Sequence, residues 1–358
     1  MSSSPSARLL SVAHAVPPHT RSTAELLPLV TLWLHGQPER FREKVLRLFK
    51  YSGVDRRYSI FSAEEVFTPI PFATRNRIYV ERLLPLAEQA IRQAADQAKV
   101  GLSEFDAIIS TSCTGICIPG LDAALINRLG LRQDILRLPV FQMGCAGGVA
   151  GMIYAQSLLR GGACKRVLLL AMESPVATLQ VDDFSMANMV SAAIFGDGVA
   201  AAVLSCDNTL STPVPSIVDS SMYHFPDAER LMGFDLVESC LKMVLAPDVP
   251  ATILAHLESI ILPILARNEL TPEQITQYLF HPGGRKILQS VDEWLAGFGK
   301  AVPLSHEVLR AHGNMSSATI LYIIERALQG SHEAGESAFV LSFGPGFTAQ
   351  RALLRWST

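Results

Sequence analysis

Uninterrupted apolar runs divide the first half of the chain into candidate buried strands. The runs occupy residues 9–12, 106–112, 139–142, 166–172 and 198–204. Because polar and apolar residues do not alternate within the longer runs, they are typical of strands covered on both faces. Amphipathic or alanine-rich stretches between them predict helices at residues 41–49, 80–99 and 121–129, and from the glycines after Gly144 to Arg160.

The alternation of strand and helix restarts near residue 209. Further strands are predicted at residues 217–221, 278–280 and 338–343, and further helices at residues 249–268, around Ile287 and after Asn314. No stretch of sequence is literally repeated, so the repeat is one of pattern only. The two halves, residues 1–208 and 209–358, predict a duplicated α/β fold with layers of helices and sheet.

The composition indicates a large folded domain pair. The chain has 358 residues, of which 49% are hydrophobic and 18% charged, and its net charge is −3. The apolar fraction supplies a large interior, and the low charged fraction suggests that a second subunit covers part of the surface. No basic stripe indicates binding to nucleic acid.

Two further features bear on location and on metals. The N-terminus lacks the basic start and long apolar run of a signal peptide, and the longest apolar stretch, at residues 260–265, is interrupted by Pro263 and is too short to cross a bilayer. The six cysteines are scattered, and they form neither a redox pair nor a zinc-binding set. The sequence therefore predicts a cytoplasmic enzyme with reduced thiols, no membrane span and no metal.

Three short motifs each combine glycine with a chemically useful side chain. They are Gly-Cys-Ala-Gly-Gly at residues 144–148, His-Pro-Gly-Gly at residues 281–284 and Gly-Asn-Met-Ser-Ser at residues 313–317. Each follows a predicted strand or loop and opens into a predicted helix. At such a turn the sulfur of Cys145 would be exposed, and the helix dipole and a neighbouring imidazole would lower the pKa of its thiol.

Each of these residues also has a purely structural interpretation. Cys145 alone is compatible with an inert core cysteine, His281 with a histidine on an exposed tight turn, and Asn314 with a helix N-cap. Together they form a sufficient chemical set. Decarboxylation of a malonyl thioester produces an enolate, whose oxygen needs two hydrogen-bond donors in a dry site, and an imidazole and a primary amide can supply them. We therefore interpret Cys145 as the nucleophile that carries the acyl group.

At these motifs the sequence resembles the chalcone synthase superfamily, the type III polyketide synthases, over residues 40–355. Residues 112–120, 195–198 and 343–348 extend the resemblance, and the second and third motifs separate the chain from ketoacyl synthase III enzymes, in which we expect a His-Gln-Ala-Asn-type motif. The resemblance implies a thiolase-like αβαβα fold and a homodimer. It also implies acyl-CoA and malonyl-CoA substrates, no cofactor, and catalysis by Cys145, His281 and Asn314.

The resemblance also implies roles for residues around the nucleophile. Phe195 and Met243 match the two gate positions between a CoA tunnel and the cavity, both of which are phenylalanine in plant enzymes. The cavity positions are matched by Cys113, Thr114, Ser174, Ala177 and Ser316. The CoA-contacting positions are matched by Lys44, Arg47 and Gly283, with Tyr51 in place of a further lysine, and the residue that reaches into the partner's cavity is matched by Ile118.

Departures from the plant pattern bear on the substrate. Met243 is flexible and would widen the gate, while Cys113 and Ala177 stand where plant enzymes often have threonine. A less polar cavity favours a medium- or long-chain fatty acyl starter that is extended to an alkylpyrone or alkylresorcinol. The chain therefore resembles bacterial alkylpyrone and alkylresorcinol synthases most in character.

Other interpretations stay open. A tetrahydroxynaphthalene or phloroglucinol synthase that uses only malonyl-CoA fits the Cys113 context equally well. An acyl carrier protein could deliver the acyl group instead of CoA. A papain-type Cys-His-Asn hydrolase fits less well, because secretory signals and the papain motif are missing. A catalytically silent partner subunit also fits less well, because Cys145, His281 and Asn314 are all present.

Overall fold

Strands and helices make up most of the residues that the computed structural model describes, which are 6–207, 213–238 and 240–357. The strands are β1 (Ala7–Ala15), β2 (His19–Ser22), β3 (Arg56–Ser59), β4 (Ala107–Ser112), β5 (Leu136–Phe141), β6 (Arg166–Glu173), β7 (Gly198–Ser205), β8 (Val214–His224), β9 (Met232–Val237), β10 (Cys240–Leu245), β11 (Gln277–Phe280), β12 (Ser337–Gly344) and β13 (Thr348–Ser357). The helices are α1 (Thr23–Trp33), α2 (Glu39–Lys50), α3 (Ala63–Phe67), α4 (Phe72–Ala98), α5 (Leu121–Leu129), α6 (Gly147–Arg160), α7 (Met186–Ile194), α8 (Val249–Arg267), α9 (Arg285–Ala296), α10 (Pro303–His312) and α11 (Ser317–Leu328). Every predicted strand and helix is present.

One sheet carries strands from both halves of the chain. Within the described residues its nine strands lie in the order β11-β12-β13-β8-β1-β7-β6-β4-β5. Pairing is parallel where β4 meets β5 and β6 and where β11 meets β12, and it is antiparallel elsewhere. The two sets of strands meet where Ala7 and Arg8 of β1 pair with β8. The predicted boundary between residues 208 and 209 lies outside the described residues.

Helices cover both faces of the sheet. Alternate residues of one strand face opposite sides, as the pleat requires: Ile109 packs in the cluster that contains α6 and α11, whereas Ile108 packs in the cluster that contains α4. The strands within residues 214–357 also pack one face against α6 and α11, and their opposite face packs against α8 and α9. Helices α6 and α11 therefore form a buried middle layer, which confirms the predicted layered α/β arrangement.

The glycines of α6 allow α11 to approach closely. A Cβ atom at Gly148 would lie 2.5 Å from the carbonyl oxygen of Ser317, and one at Gly147 would lie 3.0 Å from Cβ of the same residue. On another side, a Cβ at Gly151 would lie 2.3 Å from Cδ1 of Leu169 in β6. These glycines therefore permit a backbone approach that a larger side chain would block.

Several elements differ from the sequence prediction. Helix α4 begins at Phe72 rather than near residue 80, since the buried side chains of Arg75 and Tyr79 extend its packed face. Strand β13 and the β9–β10 hairpin are not predicted. β13 pairs along its length with both β12 and β8, and the hairpin forms a small sheet of its own. For β13, the pairing with the distant strand β8 leaves little local signal.

Helix α8 continues through Pro263, within the helix that the sequence predicts at residues 249–268. A proline inside a helix leaves the carbonyl four residues earlier without its amide donor. Here that carbonyl belongs to Ser259, and Nη1 of Arg351 donates to it at 3.4 Å and also to the carbonyl of Ile260. The guanidinium therefore compensates for the missing helical hydrogen bond.

By length and composition alone, α8 could cross a membrane. The core helix of a soluble protein passes the same test, so the signal is weak. One face of α8, which includes Ile253, Leu257 and Ile260, packs in a cluster with residues of β12 and α9. One face of α8 is therefore packed against the interior of the protein.

Candidate active site

Cys145 lies in a tight turn between β5 and α6. Its neighbour Gly144 has a φ of +51°, and a Cβ there would lie 2.4 Å from Cδ of Pro345. Only glycine therefore suits this position, both for its backbone conformation and for the space available. The turn places the sulfur of Cys145 4.0 Å from Oδ1 of Asn314, although the two residues are 169 positions apart in the chain.

The thiol of Cys145 is not activated in the way that the sequence predicts. Desolvation by the surrounding protein raises its pKa to about 12, and this outweighs the contact with Asn314, which lowers it. The predicted lowering of the pKa by the helix dipole is therefore wrong for the free protein. With its pKa raised in this way, the thiol of Cys145 must lose its proton to a base when it attacks a thioester.

His281 follows β11, and it is buried rather than on an exposed turn. The residue is 2% exposed, and its backbone N–H donates to the carbonyl of Leu341 at 2.8 Å. Neither ring nitrogen has a hydrogen-bond partner. Burial lowers the pKa of the imidazole to about 3, so the ring is neutral at physiological pH. A buried imidazole with both nitrogens free is available to a ligand.

This lowered pKa makes stability depend on pH. The unfolded chain binds a proton at His281 below about pH 6.5, whereas the folded protein does so only near pH 3, so the free energy of unfolding falls as the pH falls through this window. We expect His281→Gln to make this slope shallower, by up to about 1.4 kcal/mol per pH unit. Urea unfolding between pH 4 and 8 measures it. His35→Gln, at an exposed position, is the matched control, and equal slopes for wild type and His281→Gln would contradict the expectation.

Asn314 lies on the loop before α11 and is not its N-cap, which is Ser316. The backbone N–H of Ser316 donates to Oδ1 of Asn314 at 2.8 Å. This bond fixes the amide, because Oδ1 is used as an acceptor and the donor Nδ2 must point the other way. The backbone of Asn314 is also held: its N–H donates to the carbonyl of Ile194, and its carbonyl accepts from Gly196.

A single cavity, here called the inner cavity, brings most of the predicted residues together. The predicted residues in its wall are Cys113, Thr114, Cys145, Phe195, Met243, His281, Gly283, Asn314 and Ser316. Apolar residues that the sequence did not indicate complete it, among them Met232, Phe234, Leu245, Val249, Ile253 and Ile287. The three motifs therefore meet at one site, and its wall is mostly apolar.

Other predicted residues lie elsewhere. Ser174 and Ala177 are buried but are not part of the inner cavity wall. Lys44 and Arg47 are exposed on α2 and do not line it either. Ile118, on the loop after β4, is 97% exposed. This is the highest exposure among the large apolar side chains of the residues that the structure describes. Their roles in binding CoA, shaping the cavity or contacting a partner stay predictions.

Glu173, at the end of β6, supports the site and was missed in the sequence. Its carboxylate is buried and accepts hydrogen bonds from the hydroxyls of Thr114 at 2.7 Å and Ser317 at 2.6 Å, and from the backbone N–H of Cys113 at 3.1 Å. Burial raises the pKa of Glu173. The one available signal was an acidic residue that ends an otherwise apolar strand.

Asp197 holds together the segments around Phe195. Its carboxylate accepts from the backbone N–H groups of Ile60 and Val176 and from the hydroxyl of Ser59, at 2.9 to 3.0 Å. Burial raises its pKa to about 6 despite these donors. The Phe-Gly-Asp-Gly sequence therefore has a structural role beside the cavity.

Solved structures identify the class of enzyme to which this fold belongs. The 1,3,6,8-tetrahydroxynaphthalene synthase of Streptomyces coelicolor A3(2), a bacterial type III polyketide synthase, matches with a TM-score of 0.91 and 26% identity, covering 98% of this chain and 99% of that one. The C-terminal type III polyketide synthase domain of Steely1 from Dictyostelium matches in fold with a TM-score of 0.92 and 24% identity, covering 99% and 100%. The fold is the thiolase-like fold of these enzymes, as predicted.

Sequence comparisons identify the family. Residues 1–208 match the N-terminal domain of chalcone and stilbene synthases, and residues 216–357 match their C-terminal domain. A 1,3,6,8-tetrahydroxynaphthalene synthase of Streptomyces peucetius subsp. caesius is 34% identical over 345 residues, 96% of this chain and 91% of the relative. A phloroglucinol synthase of Pseudomonas fluorescens is 29% identical over 318 residues, 87% and 88%. The chain belongs to the chalcone and stilbene synthase family and is a bacterial type III polyketide synthase.

This assignment confirms the predicted acyltransferase class and rules out the papain-type hydrolase. Enzymes of the class use CoA thioesters as substrates and need no cofactor. Across residues 6–207, 213–238 and 240–357, no group of three His, Cys, Asp or Glu side chains could hold a metal ion.

Proposed function

We propose that the protein loads a fatty acyl starter from CoA onto Cys145 and extends it with malonyl-CoA by repeated decarboxylative condensation. Cyclisation then gives an alkylpyrone or alkylresorcinol. The observation that carries the proposal is that Cys145, His281 and Asn314 line one mostly apolar cavity. In such a site water is scarce, so each hydrogen bond to a thioester oxygen is stronger than in bulk water.

Loading begins with a neutral thiol and a neutral imidazole. As the sulfur of Cys145 attacks the thioester carbonyl, its proton passes to His281, whose ring nitrogens have no other partner. Nδ2 of Asn314 and the protonated imidazole donate to the oxyanion. The carbon–sulfur bond to CoA then breaks, and the CoA thiolate takes the proton back from His281.

Extension uses the same two donors. Malonyl-CoA loses carbon dioxide, and the electron pair of the broken carbon–carbon bond forms an enolate whose oxygen accepts from Nδ2 of Asn314 and from an N–H of His281. The enolate carbon attacks the acyl group on Cys145 and forms the new carbon–carbon bond. The Cys145 thiolate leaves, and the chain, now two carbons longer, is carried by CoA.

The apolar wall favours an alkyl starter. Met232, Phe234, Leu245, Val249 and Ile253 offer the starter carbon and sulfur atoms rather than side-chain hydrogen-bonding groups. An alkyl chain gains from this burial, whereas a phenolic hydroxyl would lose its hydrogen bonds to water.

A second candidate is a synthase that uses malonyl-CoA alone. It is favoured by the relatives that are named tetrahydroxynaphthalene synthase and phloroglucinol synthase. Under this alternative, the apolar wall would enclose a polyketide derived only from malonyl units.

An acyl-CoA panel separates the two candidates. The purified protein is incubated with malonyl-CoA and octanoyl-, dodecanoyl-, hexadecanoyl- or p-coumaroyl-CoA, or with no starter, and the products are identified by mass. We expect alkylated pyrones or resorcinols from the fatty acyl starters. Naphthalene or benzene polyols from malonyl-CoA alone, with no alkylated product, would favour the second candidate. No product under any condition would contradict both, and a further arm with acyl carrier protein thioesters tests the donor.

We also propose that the enzyme is a cytoplasmic homodimer, in which the exposed Ile118 contacts the partner. A monomeric mass in light scattering would contradict the dimer.

Lys44, Arg47 and Gly283 are proposed to contact CoA, since two of them are cationic and the third lies in the inner cavity wall next to His281. An unchanged KM for malonyl-CoA in the double variant Lys44→Ala, Arg47→Ala would contradict that role.

A further inference from the structure

We propose that Asp197 is a positioning residue for malonyl decarboxylation: its ionised carboxylate fixes the backbone that holds Asn314 in place, and turnover falls when this carboxylate is protonated. The inference rests on the proposed function, in which Asn314 donates to the enolate, and it adds a residue that lies outside the site. Asp197 is completely buried. It lines neither the inner cavity nor the second cavity, which shares Pro175, Phe195 and Met243 with the inner one.

The carboxylate of Asp197 joins two segments that are distant in the chain. Its Oδ2 accepts from the backbone N–H of Ile60 and from the hydroxyl of Ser59, both at 2.9 Å. Its Oδ1 accepts from the backbone N–H of Val176 at 3.0 Å. Both oxygens are therefore needed as acceptors, one for the end of β3 and the other for the turn after β6.

The backbone beside this carboxylate is tied to the loop of Asn314. The N–H of Asp197 donates to the carbonyl of Tyr58 at 2.8 Å, and the N–H of Gly196 donates to the carbonyl of Asn314 at 3.0 Å. The packing here is close, because a Cβ atom at Gly196 would lie 2.4 Å from the carbonyl oxygen of His312. A displacement of Asp197 is therefore passed to the loop that carries Asn314.

Only an ionised carboxylate satisfies these donors. Asparagine has one oxygen, so whichever way its amide is turned, its NH₂ group faces the N–H of either Ile60 or Val176. Protonation has a similar effect, because it turns one of the two acceptor oxygens into a donor. Burial raises the pKa of Asp197 to about 6, so this change falls within a pH range in which the enzyme can be assayed.

Charged and titratable side chains lie on the segments that pack against Asp197. They are Arg57, Tyr58, Arg75, Arg82, Glu173 and His312. Nη1 of Arg75 donates to the carbonyl of Val176 at 3.4 Å, and Nη1 of Arg82 donates to that of Ile60 at 2.6 Å. Arg57 donates to carbonyls of α7. The three arginines stay charged between about pH 5 and 8, so they add no pH dependence.

Two of these side chains remain as possible sources of an acid effect. Burial lowers the pKa of His312 to about 4, so this ring is neutral in the range in which Asp197 titrates. Burial raises the pKa of Glu173, whose carboxylate binds Thr114 and Ser317. The titration of Asp197 must therefore be separated from that of Glu173, and a comparison of wild type with an Asp197 variant does so, because Glu173 is present in both.

Three variants test the proposal. Asp197→Asn removes the titrating group, and Ser59→Ala removes one donor to the carboxylate while keeping it. Asp106→Asn is the matched control: the Asp106 carboxylate also accepts from two backbone N–H groups, at 2.7 and 3.0 Å, and it lines neither cavity. For each protein, kcat and KM for carbon dioxide release are measured with malonyl-CoA alone from pH 5 to 8, and thermal unfolding confirms folding.

We expect Asp197→Asn to lower kcat at pH 7.5 about tenfold or more and to change the KM for malonyl-CoA by less than about twofold. The ratio of wild-type to variant kcat should shrink as the pH falls through about 6, because wild type then loses the same acceptor. Ser59→Ala should shift the acid limb of kcat to higher pH by about one pH unit. The control should match wild type at every pH.

Near-normal kcat in folded Asp197→Asn would overturn the proposal. A loss of the same size at every pH would also overturn it, since that result identifies a merely structural role. Where Asp197→Asn does not fold, Ser59→Ala decides, and an acid limb at the wild-type pH counts against the proposal. Wild type that releases no carbon dioxide from malonyl-CoA contradicts the proposed function itself, and this outcome is distinct from the others.

Discussion

Cys145→Ala is expected to abolish product formation with every starter, a loss of about a thousandfold or more, because in the proposed mechanism the thiol of Cys145 carries the acyl chain. The fold should survive, since the substitution removes a single sulfur atom whose contact with Oδ1 of Asn314, at 4.0 Å, is a weak one. Decarboxylation of malonyl-CoA should continue, because His281 and Asn314 remain. Product mass, released carbon dioxide and thermal unfolding measure the three expectations.

A second cysteine provides the control for this experiment. Cys206 is a free cysteine just beyond β7, and it does not line either cavity. Cys206→Ala should therefore retain wild-type product formation. Near-normal condensation by Cys145→Ala would remove Cys145 from its role, and equal losses in both variants would attribute the effect to folding rather than chemistry.

Asn314→Asp should slow decarboxylation of malonyl-CoA by about 10²- to 10³-fold, the usual cost of losing one donor to a developing oxyanion. Aspartate keeps an oxygen that can accept from the N–H of Ser316, at 2.8 Å in the wild type, but it has no amide donor. Loading of Cys145 should fall less, since in that step the protonated imidazole of His281 remains as a cationic donor to the oxyanion. Carbon dioxide release and the intact mass of the acylated protein measure the two steps.

Asn314→Ala is the companion variant. It also removes the acceptor, which leaves a buried N–H unpaired and should reduce stability by about 1–3 kcal/mol. Comparing the two variants therefore separates loss of the Nδ2 donor from loss of the Oδ1 acceptor that binds the N–H of Ser316. Acylation that falls as much as carbon dioxide release, in either variant, would contradict the division of roles.

The sequence predicts most of the sheet and the middle layer because their signals are local. The apolar runs at β4, β6 and β7 and the glycines of α6 each show burial directly in the residue pattern. The β9–β10 hairpin gives no such signal. Its sequence mixes exposed Lys242 with half-buried Met243. The hairpin is held by the pairing of β9 with β10, and it covers the inner cavity.

The candidate catalytic residues could be found from three motifs, but their environment could not. His281 was predicted to be exposed because Pro-Gly-Gly indicates a turn, yet segments distant in sequence cover it. Likewise, the helix dipole that favours a thiolate at Cys145 can be foreseen locally, whereas the desolvation that outweighs it cannot. Glu173 was missed because its partners, Thr114 and Ser317, are far from it in the chain.

The backbone bridge between Phe195 and Asn314 constrains how this enzyme can change its substrate. The N–H of Asn314 donates to the carbonyl of Ile194, and the N–H of Gly196 donates to the carbonyl of Asn314. These bonds tie the backbone at Phe195, the proposed gate residue, to that of Asn314, the proposed amide donor. Under the proposed function, a substitution that shifts the backbone at Phe195 is therefore expected also to shift the amide that would donate to the enolate. Met243 stands on a separate hairpin without this link. New starter specificities, in natural divergence or in engineering, can therefore arise at Met243 with less damage to turnover than at Phe195.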